Sequence, residues 1–216
     1  MKQEILILYA SIGTGHYHAA LAIAEALLNL QPKVNLQIID IFPNHAGNKW
    51  VQNSFAILSS YLFPNLYTKI WTRGALSWLY NLAVHVSPNS VRIRKILNKK
   101  KPELVICTHT FPCSVVVNWK LRKKSETRIA AVATDYAFNK YWPLRFVEIY
   151  FSPCFKATLD LISRGVPPKN IYTVGIPVAY RKKQTKQKMS QNSTVTVIFG
   201  SRAQAPYKYL YPFLVN

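Results

Sequence analysis

The first forty residues constrain the fold more than any other part of the chain. An unbroken apolar run, Ile5–Tyr9, leads into the loop Ser11-Ile-Gly-Thr-Gly-His16, then an alanine-rich stretch over 19–28 and a second apolar run, Val34–Asp40. A run without alternation is typical of a central parallel strand covered on both faces, whereas Ala and Leu favour helix. The order strand, glycine loop, helix, strand predicts an α/β fold with a doubly wound parallel sheet.

The same rhythm returns in the second half of the chain. Short apolar runs predict strands over 103–107, 128–133, 147–151 and 171–174, and helices are expected up to Leu121 and over 155–163, the latter ending at Gly165. With 216 residues, half of them apolar, the chain is long enough for one sizeable domain.

The segment from about 49 to 87 interrupts this rhythm with aromatic residues. Trp71, Trp78 and Tyr67 lie in it, and no Asp or Glu occurs between Ile41 and Pro102. Trp and Tyr favour the membrane interface, and Lys and Arg favour anionic headgroups. We expect these three side chains to contact a membrane; an ordinary buried core is the alternative.

Charge indicates an anionic partner. The chain has 28 Lys and Arg against 8 Asp and Glu, a formal charge of +20. Nucleic acid and anionic lipid are the usual partners of so basic a domain, and a solvated basic surface is the third reading. The clusters over 92–101 and 181–188 keep a nucleic-acid-binding module open as an alternative.

The three cysteines have no metal-ligand spacing, so we expect no metal and interpret them as buried free thiols in a reducing cytosol. The N-terminus shows no signal or transit peptide, and no run of about 18 apolar residues predicts a membrane-spanning helix.

The glycine loop is the first candidate site. Gly13 and Gly15 allow a ligand close to the backbone, and His16 at the helix start is a candidate general base. The alternatives are a tight turn that needs glycine, or a dinucleotide site. A dinucleotide site is weakened because His18 replaces the third glycine, although Asp40 stands where a ribose-binding acid belongs.

His109 and Asp135 directly follow two predicted strands. Since the carboxyl ends of parallel strands meet in one crevice, we expect the two residues near each other as a base and its orienter. A helix N-cap and a loop carboxylate are the structural alternatives.

These pieces in order resemble the N-terminal domain of the diacylglycerol glycosyltransferases, which include monogalactosyldiacylglycerol synthases and processive diacylglycerol glucosyltransferases. The resemblance covers roughly residues 4–180 and rests on the glycine loop, Trp78-Leu-Tyr, the run over 102–112, Val132-Ala-Thr-Asp135, Tyr150-Phe-Ser-Pro and Gly175-Ile-Pro-Val178.

The resemblance implies a GT-B fold, in which two Rossmann-like domains face a cleft. It implies a metal-independent enzyme without a cofactor, bound peripherally on the cytoplasmic side of a membrane, that moves a sugar from UDP-hexose to diacylglycerol. His16 and Asp135 would be catalytic, and Gly13, Gly15, His109 and Trp142 would line the acceptor cleft. Diacylglycerol and anionic phospholipid would be the partners, with no nucleic acid.

Two departures from the family pattern stand out. Asn139 lies near a position where the family often has a histidine, and an amide cannot do acid–base work. We expect a lipid-acceptor domain over 1–180, a basic linker over 181–193 and the start of a truncated second domain over 194–216. On this reading the donor site is missing, so the chain is inactive alone and a separate chain with the donor domain is a possible partner.

Overall fold

The computed structural model describes residues 3–12, 14–42, 74 and 76–179. The linker over 181–193, the segment 194–216 and most of the aromatic segment therefore lie outside the described residues. The described strands are β1 (Glu4–Tyr9), β2 (Asn35–Asp40), β3 (Leu104–Cys107), β4 (Arg128–Val132), β5 (Ile149–Ser152) and β6 (Ile171–Thr173). The helices are α1 (Gly15–Leu30), α2 (Ser77–Val86), α3 (Pro88–Lys100), α4 (Thr110–Lys123) and α5 (Phe155–Ser163), with short 3₁₀ turns at Leu144–Phe146 and Pro168–Asn170.

The six strands form one parallel sheet in the order β2-β1-β3-β4-β5-β6. The chain runs from β1 outward to β2, then returns to β3 on the other side of β1. The order reverses there, and the crevice at the carboxyl ends of β1 and β3 is where such sheets bind ligands. The predicted parallel α/β sheet is confirmed.

Both faces of β1 are buried, which explains its unbroken apolar run. Ile5 and Ile7 pack with Ala20 and Ala24 of α1, whose small side chains allow the helix to approach the sheet. The alternate residues, starting with Leu6, lie in the larger core with side chains of α3, α4 and α5. A strand covered on both sides has no position for a polar residue.

Sequence analysis did not predict α2 or α3, although the start of α3 carries a recognisable signal. Ser87 accepts a hydrogen bond from the backbone N–H of Ser90, and Pro88 occupies the first helical position. Arg94 of α3 donates to the carbonyls of Val84 and His85 at 3.0 and 2.8 Å, which satisfies the last turn of α2. The two helices therefore form one unit.

The cysteine prediction is confirmed at two of three positions. Cys107 and Cys113 are free and buried, while Cys154 is free but only half-buried. Within the described residues, none of the helices has the length and apolar character needed to cross a membrane.

Two lysines end helices in an unfavourable backbone conformation, and this predicts stabilising substitutions. Lys101 after α3 and Lys124 after α4 have φ values of 45° and 50°. Because a side chain disfavours the left-handed region and glycine does not, Lys101→Gly and Lys124→Gly should each raise the free energy of unfolding by about 0.5–1 kcal/mol. Urea denaturation measures this. Lys95→Gly, at an exposed interior position of α3, is the control and should lower it by a similar amount.

Candidate active site

The candidate site lies at the carboxyl ends of three neighbouring strands. His16 is in the first turn of α1, after β1; His109 follows β3; and Asp135 follows β4. The structure brings these three predicted residues together with Trp142 around one small pocket of about 30 Å³. Its other lining residues are Thr110, Ala133, Thr134, Ala137 and Asn139.

Two oxygen atoms hold the ring of His16. Its Nδ1 lies 2.8 Å from the carbonyl oxygen of Thr108 and 2.7 Å from the hydroxyl oxygen of Thr134. The hydroxyl of Thr108 in turn donates to the carbonyl of His16 at 3.1 Å. Since a carbonyl can only accept, Nδ1 must carry the hydrogen. The neutral imidazole therefore has its lone pair on Nε2, and Nε2 is the atom that can accept a proton.

Burial keeps His16 in this neutral form. Desolvation lowers the pKa of His16 below its ordinary value, while the hydrogen bond to Thr108 and the charge of Asp135 raise it by less. The amino-terminal end of α1 acts in the same direction as burial, because its partial positive charge disfavours an imidazolium. At neutral pH the residue is therefore an unprotonated base.

His109 has the opposite tautomer and a structural task. Its Nδ1 accepts a hydrogen bond from the backbone N–H of Phe111 at 3.1 Å and caps α4, so the hydrogen of the neutral ring is on Nε2. Burial, and then the neighbouring His16, hold the pKa of His109 well below its ordinary value. The ring lies edge-on to His16 with centroids 4.7 Å apart. The helix N-cap, an alternative at the sequence level, is the arrangement found.

Asp135 acts on His16 through its charge. The side chain is exposed and lines the same pocket, and its negative charge favours the imidazolium form of His16. The hydrogen bonds that orient the ring come from Thr108 and Thr134, two residues that sequence analysis did not assign to the site. The sequence contained a signal for both residues, because each threonine directly follows a predicted strand and carries a hydroxyl that can hydrogen bond.

Polar contacts from outside the pocket hold the loop that bears Asp135. Arg164, just after α5, donates to the carbonyls of Phe138 and Asn139 at 2.7 and 3.1 Å. The amide oxygen of Asn139 accepts from the backbone N–H of Tyr141 at 3.0 Å. Trp142 is buried and packs edge-on against Phe138. Asn139 thus shapes the turn and also lines the pocket.

Asp40 has a structural role at the neighbouring strand end. One of its carboxylate oxygens accepts from the backbone N–H groups of Ser11 and Phe42 at 3.2 and 2.9 Å. These bonds tie the end of β2 to the loop after β1. The carboxylate considered as a ribose ligand is therefore engaged with backbone, which favours the structural reading of this residue.

The remaining predicted residues are placed as follows. Gly15 begins α1, and an added Cβ would meet no atom within 4 Å, so the approach to the helix end is open. His18 is exposed. Trp78 is exposed on α2. Gly13, Trp71 and Tyr67 lie outside the described residues. Among the described residues, no three His, Cys, Asp or Glu side chains are grouped so that they could hold a metal ion.

Comparison with known proteins identifies a family whose sequences match most of this chain. The monogalactosyldiacylglycerol (MGDG) synthase family matches residues 16–178. An uncharacterised glycosyltransferase of Bacillus subtilis, YkoN, is 29% identical over 191 residues, which is 82% of this chain and 48% of that protein. The processive diacylglycerol beta-glucosyltransferase of Bacillus licheniformis is 22% identical over 88% of this chain and 49% of its own length. That of Staphylococcus epidermidis strain RP62A is 25% identical over 87% and 47%.

The chain thus spans about half the length of the curated relatives it matches. Among solved structures, the lipopolysaccharide outer core galactosyltransferase WaaB in its apo form aligns with a TM-score of 0.49 and 15% identity. That alignment covers 80% of this chain and 45% of WaaB.

The hydrogen bonds predict opposite tautomers for the two neutral histidines. In ¹⁵N-detected imidazole spectra at pH 7.5, His16 should show its hydrogen on Nδ1 and His109 on Nε2, because a carbonyl faces the first and a backbone N–H faces the second. Thr134→Val should leave Thr108 as the main acceptor and raise the fraction of His16 in the Nε2–H form. Equal tautomers in both rings would contradict the assignment.

Burial of two neutral histidines also predicts a pH dependence of stability. Both folded pKa values lie below the ordinary 6.5, so below that pH the unfolded chain binds more protons. The free energy of unfolding should therefore fall as pH is lowered from 7 to 5, by up to about 1.4 kcal/mol per pH unit for each histidine. His109→Asn keeps an N-cap acceptor without a titrating ring and should flatten this dependence in urea denaturation. An unchanged slope would contradict the prediction.

Proposed function

The chain belongs to the monogalactosyldiacylglycerol synthase family, and on that premise we propose that it supplies the acceptor side of a hexosyltransferase moving a sugar from UDP-hexose to diacylglycerol. The observation that carries the proposal is the pair of hydrogen bonds that fixes the ring of His16. Its Nδ1 faces the carbonyl of Thr108 and the hydroxyl of Thr134, so Nε2 remains as the base beside an open pocket.

The chemistry follows from this tautomer. As the glycerol hydroxyl of diacylglycerol attacks the anomeric carbon of the sugar, Nε2 of His16 takes the hydroxyl proton and UDP leaves with the bonding electron pair. Removing the proton prevents positive charge from building up on the attacking oxygen, an effect of about 10²–10⁴ in rate. The charge of Asp135 stabilises the imidazolium that forms, in line with its effect on the pKa of His16.

The neighbouring groups are suited to hold the acceptor. The neutral His109 has a hydrogen on Nε2, so it is a donor suited to an oxygen of the acceptor lipid. UDP-hexose would be held by a second Rossmann-like domain facing the carboxyl edge of the sheet, in a GT-B arrangement. In this scheme turnover requires both domains, which agrees with relatives about twice as long as this chain.

We further propose that the chain attaches peripherally to the cytoplasmic side of a membrane, and the outer face of α2 supports the membrane contact. The side chains of Trp78 and Val86 are more than 60% exposed, and those of Leu79 and Leu82 are 41% and 51% exposed. Their spacing places all four on one side of the helix. Exposed apolar side chains collected on one helix face mark a surface for a partner or a bilayer. The formal charge of +20 favours an anionic bilayer surface.

Vesicle sedimentation tests the membrane contact. The chain should bind vesicles that contain anionic phospholipid and diacylglycerol, and Leu82→Gln should weaken the binding about tenfold, because a buried leucine side chain contributes about 1.5–3 kcal/mol. Leu28→Gln on α1 is the matched control, a leucine of similar exposure on the opposite face of the sheet. Equal losses in both variants, or tight binding to random duplex DNA in place of vesicles, would contradict the proposal.

A transfer assay tests the base. The 216-residue chain with UDP-hexose and diacylglycerol vesicles should give no glycolipid. Joining residues 1–180 to the part of the Bacillus licheniformis relative that this chain does not match should give transfer. In that fusion, His16→Ala should lower kcat by about 10²–10⁴ with little change in KM. His18→Ala, at an exposed neighbouring position, is the control. Full activity without His16, or turnover by the chain alone, would overturn the corresponding part of the proposal.

A further inference from the structure

A groove of about 400 Å³ runs beside the candidate active site. Its walls are α2, α4 and the segment 140–146. Trp142 lines both this groove and the small pocket of His16, so the two spaces adjoin at this residue. The volume is within the range of sites that bind small ligands. A ligand lying in the groove would therefore end next to the candidate base.

Three hydroxyl groups in the groove wall hydrogen bond within the wall, while the buried amide oxygen Oδ1 of Asn118, another lining residue, has no hydrogen-bond partner among the described residues. The hydroxyl of Tyr80 hydrogen bonds with Ser114 at 3.0 Å and lies 3.3 Å from the hydroxyl of Thr110. Ser114 in turn donates to the carbonyl of Tyr141 at 3.3 Å. Burial raises the pKa of Tyr80 far above its ordinary value, so the phenol stays neutral. What remains for a ligand is largely apolar, from Val84, Val117, Leu121, Leu144 and Phe146.

The charged groups of the groove all have the same sign. Lys140 and Arg145 line it, and no Asp or Glu belongs to its lining within the described residues. Lys140 and Arg145 are exposed, so they can meet phosphate groups at a bilayer surface. An apolar interior with exposed cations is complementary to a lipid, whose chain is apolar and whose surroundings are anionic.

The position of the groove connects the membrane-facing helix with the site. One side of α2 lines the groove through Tyr80, Asn81 and Val84, while the other side exposes Trp78 and Leu82. A lipid leaving a bilayer under the exposed side would have to pass around only this one helix to reach the groove. The same helix therefore provides both the contact with the membrane and a wall of the groove.

We propose that this groove binds one acyl chain of the acceptor lipid and so places the glycerol hydroxyl next to His16, past Trp142. The inference rests on the proposed function for the identity of the lipid. It assigns the acyl-chain site to α2, α4 and segment 140–146, and it makes Trp142 the boundary between the chain and the reacting hydroxyl.

Photo-crosslinking tests the site. The chain is mixed with phosphatidylcholine–phosphatidylglycerol vesicles containing diacylglycerol with a diazirine at the end of one acyl chain, irradiated, and mapped by mass spectrometry. Label is expected on the groove residues of α4 and on Leu144–Phe146, and excess unlabelled diacylglycerol should reduce it. Label confined to Trp78, Leu82 and their exposed neighbours would overturn the groove while leaving membrane binding intact.

A variant that fills the groove sharpens the test. Asn81 is an exposed residue in the wall, and Asn81→Trp should reduce groove labelling about tenfold, the effect of losing about 1.4 kcal/mol, while vesicle binding persists. Asn29→Trp, the same change at an exposed position of α1, should leave the labelling unchanged. Circular dichroism melting shows that both variants are folded. Equal groove labelling in the two variants would overturn the inference.

A soluble probe separates the two proposals. Dioctanoylglycerol with a diazirine, used below the concentration at which it aggregates, should label the groove without vesicles. If vesicle binding fails while this probe labels the groove, the acyl-chain site is supported and the proposed membrane contact is overturned. If vesicles bind and neither probe labels the groove, the proposed acyl-chain site is overturned and the membrane contact remains.

Discussion

The hydrogen bonds to Nδ1 of His16 are the interaction on which the site depends. The two partners, Thr108 and Thr134, are 92 and 118 residues away in the chain. They meet the ring only because β1, β3 and β4 lie side by side and parallel, so that their carboxyl ends share one edge. The central apolar strands thus decide which nitrogen of His16 carries the proton, even though none of their side chains takes part in the chemistry.

Burial makes the two histidines useful in different ways. Desolvation keeps both rings neutral, and their neighbours select opposite tautomers: a carbonyl faces Nδ1 of His16, and a backbone N–H faces Nδ1 of His109. One ring is left with an acceptor nitrogen and the other with a donor. A neutral pair of this kind sits in a chain with 28 basic and 8 acidic residues, a formal charge of +20. That excess favours anionic surfaces around a site that is itself uncharged apart from Asp135.

A chain of hydrogen bonds links α2 to the loop of the candidate site. Tyr80 on α2 bonds to Ser114 on α4, and Ser114 bonds to the backbone of Tyr141, next to Trp142. Arg94 holds the last carbonyls of the same helix. These anchors explain how α2 keeps an apolar face exposed without leaving the domain. They also set the width of the groove, because they fix the two helices and segment 140–146 relative to one another.

Local patterns were sufficient for the strands, for α1 and for the position of His16. The predicted strand ends differ from the observed ones by one or two residues, and α5 was predicted over its observed bounds. Ser87 and Pro88 form a recognisable helix start for α3, with an N-cap serine followed by proline. The aromatic segment before them broke the alternation of strands and helices, so this start was not predicted. His16, His109 and Asp135 line one pocket, and their proximity could be expected because strand ends can be ordered along a sequence once a doubly wound sheet is assumed.

By itself, the sequence determined which segments form a buried parallel sheet and which loops follow its strands, since apolar runs, glycines and helix formers act over a few neighbouring residues. Only the tertiary structure decided that Thr108 and Thr134 orient His16, that His109 caps α4, and that α2 and α4 enclose a groove beside Trp142. The reason is physical: the hydrogen of His16 is directed by a backbone carbonyl, which every residue possesses. Its effect therefore depends on which strand ends lie side by side, and the residue types in the sequence do not reveal this arrangement.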